Sequence, residues 1–102
     1  MIARVWHGYT TPQNADAYES MLKPELLPGL SKVAGFHGSY LLRRIHGDEV
    51  EFVTLILFDS LDSIRALAGE HYETAVIPEE RKRVLSRWDV KASHFAVASA
   101  QL

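Results

Sequence analysis

Five histidines, at positions 7, 37, 46, 71 and 94, stand in a 102-residue chain without cysteine. An imidazole titrates near neutrality, so each is a candidate general base or metal ligand. The spacing holds no HExxH, no HxH and no pair one helical turn apart, so no metal site is expected. For His7, His37 and His46 the simpler reading is a strand residue bonded to neighbours or solvent. His94 and Trp6 carry more interest, because an indole and an imidazole on adjoining strands can line one cavity if their faces agree. Arg4, Arg43 and Arg44 also fall on strand-like segments, where a buried guanidinium needs an anion or a carbonyl. Arg43 and Arg44 point to opposite faces, so at most one of them serves a given pocket, and their structural partners are expected to be Glu49, Glu51 or a carboxylate of a second subunit. Tyr9, Tyr40 and Tyr72 offer phenolic hydrogen bonds to a ligand, or packing. Glu79 and Glu80 read as helix-start residues.

The elements that must position these groups follow from hydrophobic spacing. Residues 2–10 mix aromatic and β-branched side chains and stop at Thr11-Pro12, a cap followed by a first-turn proline. In the helix that follows, Ala15, Tyr18, Met21 and Leu22 share one face, and Pro24 bends or restarts it. Segments 36–46 and 50–59, separated by Gly47-Asp48-Glu49, read as a β-hairpin. A second helix opens at Ser60 and stops at Gly69. A third helical stretch is expected from Pro78 to about Arg87, and a last strand over about 89–98. The order is βαββαβ, an α+β, ferredoxin-like arrangement with a four-stranded antiparallel sheet, in a single domain over 1–102. The run FVTLILF at 52–58 is apolar at nearly every position, which does not suit a sheet with one wet face. A homodimer through the helix-free sheet face is expected.

Composition narrows the function classes. Eleven basic and thirteen acidic residues give a formal charge of −2, with 47% hydrophobic residues. That balance disfavours disorder and a basic nucleic-acid binder, and the ERKR run at 80–83 lacks interleaved aromatics. Lack of cysteine removes disulfides and thiol nucleophiles. No apolar run approaches a membrane span, and a cytoplasmic location is expected. There is no phosphate-binding glycine loop and no G-x-S-x-G elbow.

The segments MIARVWHG, AGFHGSYLLRR, FDSLDSIRALAGEHYE and RWDVKASHFAV together resemble the antibiotic biosynthesis monooxygenase-like domains of the dimeric α+β barrel superfamily, over almost the whole chain. The resemblance implies two sheets packed into a barrel, and a cavity between sheet and helices in each subunit. It also implies oxidation of a small aromatic or phenolic substrate by dioxygen without metal, flavin or haem, so no cofactor is expected. The deprotonated substrate supplies the electrons, and the protein binds the ring, stabilises an anion and excludes water. On that expectation His94 is the base and Arg44 the anion stabiliser, with Trp6, Tyr72 and Tyr40 as substrate contacts. A haem-degrading branch is similar in pattern, but its tryptophan and axial-histidine positions fall here on Ala66 and Val76. The alternative is a non-catalytic dimeric protein of the same fold that binds small molecules or serves a stress response.

Overall fold

The computed structural model describes residues 1–101, apart from the side chains of Leu27 and Pro28. Strand β1 (Ile2–Thr10) ends where the Thr11 hydroxyl caps a 3-10 turn at Pro12–Asn14, as that pair of residues favours. Helix α1 (Ala15–Pro24) turns Ala15, Tyr18 and Leu22 inward. Pro24 ends regular α-helical bonding, and the chain widens into a π-helical turn at Glu25–Gly29. Strands β2 (Phe36–His46) and β3 (Glu49–Phe58) form the expected hairpin around Gly47 and Asp48. Gly47 takes φ 61° at the first turn position, open to glycine at no steric cost. Helix α2 (Leu61–Ala68) begins at a Ser60 cap whose hydroxyl accepts from the Ser63 amide, and ends at Gly69.

Beyond Gly69 the molecule departs from expectation. Helix α3 is a single turn, Glu79–Lys82, and Arg87 lies in strand β4 (Leu85–Trp88), not at a helix end. Its guanidinium sits 3.6 Å from the Tyr9 ring centre and bonds Glu49 at 3.0 Å, contacts that a helix running to this point would forgo. The expected continuous last strand is two, β4 and β5 (Ser93–Ala96). The intervening backbone turns away to other partners. The Ala92 amide donates to the Glu73 carbonyl (2.7 Å) and the Ala75 amide to that of Val90 (2.9 Å).

The sheet is therefore five-stranded rather than four-stranded, antiparallel and open, in the order β2-β3-β1-β4, with β5 also pairing β1. Strands β4 and β5 occupy opposite ends of β1's outer edge, at Gly8–Thr10 and Ile2–Val5. The βαββαβ course of a ferredoxin-like α+β fold is kept.

Alternation divides the sheet chemically. Trp6, Thr10, Val50, Phe52 and Leu85 face the helices, where Tyr18 and Phe52 meet edge to face at 4.9 Å. The other face carries Val5, Val53, Leu55 and Leu57, with Tyr40, Leu42 and Phe95 about half exposed. Among the described residues no helix is long and apolar enough to cross a membrane.

Candidate active site

A cleft of about 160 Å³ opens between the helix face of the sheet, α1 with its π-helical turn, and the segment leading into α3. Its floor comes from alternate residues of two strands, Arg4 and Trp6 of β1 and Thr54 and Ile56 of β3, which the register sets opposite each other. Tyr18, Leu22 and Leu26 form one wall, and Ala75, Val76 and Ile77 the other. Glu25 and Arg81 stand at the rim as an ion pair joining the π-helical turn to α3. Burial pushes the Tyr18 phenol up to about 12, against the pull of Arg81, so it stays protonated near neutrality and keeps a donor.

Arg4 is the chemical centre of this cleft. Its Nη1 donates to the Tyr72 carbonyl at 2.6 Å and lies 2.9 Å from Nε2 of His94, its register partner on β5. Arginine has no acceptor, so Nε2 must carry the lone pair, and His94 is the neutral Nδ1–H tautomer. Electrostatics agree, since burial and then the Arg4 charge depress the His94 pKa, with Glu73 opposing. The Tyr72 ring meets the His94 ring edge-on at 5.1 Å, and the Trp6 indole is anchored by a 2.7 Å bond from Nε1 to the Asp89 carbonyl. Among the described residues no carboxylate pairs with Arg4. Desolvation alone pulls its pKa down, which leaves so basic a group charged. A partly buried cation without a carboxylate partner, on one face with an indole, has the chemistry to attract an anion that carries an aromatic ring.

The residues expected from the sequence divide between the two faces. Trp6 lines the cleft, while His94 and Tyr72 reach it through Arg4. Arg44 and Tyr40 do not converge with them. Both project from β2 on the helix-free face, because Arg44 pairs in register with Glu51, and Tyr40 with Leu55. Arg44 bonds Glu51 at 2.5 Å, and His7 holds the other carboxylate oxygen at 2.8 Å. These two bonds keep the buried Glu51 carboxyl below its usual range. This is the structural partnership weighed for Arg44, and Arg4 is the arginine that lines the cleft. Arg4 was legible as a strand arginine in need of a carbonyl, and its place two residues before Trp6 sets both on one face. Tyr18, Thr54, Glu25 and Arg81 carried no comparable signal.

No protein-family model matches the sequence, and no curated protein matches it. Solved structures match it closely in fold. A Bacillus cereus protein proposed to be an antibiotic biosynthesis monooxygenase superposes with a TM-score of 0.73 at 13% identity, over 100% of this chain and 95% of that one. The heme-degrader MhuD of Mycobacterium tuberculosis, solved with two hemes in its active site, gives 0.66 at 19% identity over 99% of each chain. Rv0793 of the same organism gives 0.65 at 16% identity, over 97% and 96%. At these identities the likeness is one of fold alone, shared with all three.

Proposed function

We propose that this chain is a small monooxygenase that oxidises a single-ring phenolic substrate with dioxygen in the helix-face cleft. The observation that carries the reading is Arg4, a cation without a carboxylate partner on the floor of a ring-sized space beside Trp6. A cavity of about 150 Å³ accepts one benzene ring, so a volume of about 160 Å³ is enough for a single ring. The lining also holds no histidine that could ligate iron, and Val76 stands where the haem-degrading pattern requires one. The residues present do not fit haem.

In the proposed reaction the ring lies against Trp6 and its hydroxyl meets Arg4. The guanidinium shifts toward the forming oxyanion, Nη1 releases Nε2 of His94, and that nitrogen takes the phenol proton. Arg4 thus takes the part first expected of Arg44. Tyr72 positions the guanidinium through its carbonyl. The phenolate then supplies the electrons. A phenol and dioxygen give a quinone and water, one oxygen atom entering the ring and the other leaving as water.

The same reading includes a homodimer that covers Val5, Leu42, Val53, Leu55 and Leu57, closing two open sheets into a barrel. Oxygen uptake with quinone formation, measured over a panel of single-ring phenols, tests the reaction. Wild-type protein should turn over at least one of them, and Arg4→Met should lose about 100-fold or more of the rate, the size seen when an oxyanion donor is removed. Ligand binding without oxygen uptake by the wild type, or full uptake by Arg4→Met, would contradict it.

A further inference from the structure

A guanidinium has five N–H donors, and Arg4 engages two of them, both on Nη1. Among the described residues, Nε–H and the two Nη2–H groups have no protein partner. In a planar guanidinium Nε–H and one Nη2–H point the same way along one edge, a fork that matches two neighbouring oxygens. The Tyr72 carbonyl and His94 therefore do more than hold the side chain. By occupying Nη1 they leave the edge suited to two-oxygen recognition as the unpaired part of a residue that lines the cleft.

We propose that the substrate is an ortho-dihydroxy aromatic, a catechol-type ring whose two adjacent oxygens dock on Nε–H and Nη2–H of Arg4. This rests on the reading of the cleft as a site of phenol oxidation and names the substrate class within it. A lone phenolate oxygen would leave one of two parallel donors without a partner. A meta-diol holds its oxygens too far apart for the fork. A carboxylate would also match the fork, but an aromatic acid without a ring hydroxyl has no phenol to oxidise, so it does not meet the reading of the cleft on which this inference rests. His94 Nε2 is bonded to Nη1, away from that edge, and takes a catechol proton only once the guanidinium shifts and releases it, as in the reaction above.

Anaerobic titration with catechol, resorcinol, phenol and benzoate tests this without turnover. Trp6 fluorescence is the readout, in a Trp88→Phe background that leaves one indole. The expected result is that catechol binds at least ten-fold more tightly than resorcinol or phenol. That preference should vanish in Arg4→Lys, which keeps the charge and loses the fork, with circular dichroism confirming the fold. The wild-type ranking stands as a test even if the variant fails to fold. Equal affinity for catechol, resorcinol and phenol would overturn the paired-oxygen assignment and leave phenol oxidation standing. Tight benzoate binding without catechol binding would overturn it in favour of an aromatic acid. A catechol preference that survives in a folded Arg4→Lys would remove Arg4 as its receptor, and no binding by any of the four would overturn both readings.

Discussion

Arg4 is held by a carbonyl and a neutral imidazole instead of a carboxylate, so its charge stays available to a ligand. The arrangement has a pH signature at His94. Burial and the neighbouring charge lower its pKa from 6.5, so the basic form persists below that pH and is lost only when the folded-state value is passed. Turnover should hold down through pH 6.5 and fall on an acid limb below it, and His94→Ala should cost about 100-fold or more. An acid limb above pH 6.5, or an unaffected His94→Ala, would contradict the role. At this scale the sequence placed Trp6 and His94 on strands that do adjoin, β1 and β5. It named Glu51 among the partners of Arg44 but did not decide between that pairing and the cleft, because alternation puts Arg43 and Arg44 on opposite faces without saying which face holds the cleft.

Strand β1 is the element on which the site depends. Its even-numbered residues supply Arg4 and Trp6 to the cleft and leave Gly8 beneath the indole. A Cβ at Gly8 would lie 3.0 Å from the Trp6 ring and 3.1 Å from Cδ2 of Leu85, so the glycine gives the indole its seat. Gly8→Ala should cost about 1–3 kcal/mol of stability by overpacking, read by denaturant unfolding, and should weaken ligand binding by tilting Trp6. Wild-type stability and affinity in that variant would show that the indole is not fixed from below. Most elements were legible because caps, glycines and periodicity agree locally, as at Thr11, Ser60 and Gly47. The broken last strand was not, since its cause is a long-range exchange of backbone bonds with Glu73 and Ala75. The same distance in sequence hides why the helix after Pro78 stops so early, as Arg87 finds Tyr9 and Glu49 on the sheet.

For the whole molecule the deciding fact is the apolar, helix-free face, foreshadowed by FVTLILF and borne by Val53, Leu55 and Leu57 beside half-exposed Leu42 and Tyr40. Sedimentation at micromolar concentration should give twice the 11.5 kDa chain mass, and Leu42→Glu should return the single-chain mass with the secondary structure intact. A wild-type protein that sediments as one chain would rule out the barrel. The placement of function on the other face is tested most directly by nuclear magnetic resonance of the side-chain N–H groups during an anaerobic phenol titration. The Nε1–H of Trp6, bonded to the Asp89 carbonyl, and the Nε–H of Arg4 should shift together along one saturable curve. If both stay still while the amides of Tyr40, Leu42 and Arg44 move, the ligand sits on the opposite face and the assignment of the cleft is wrong.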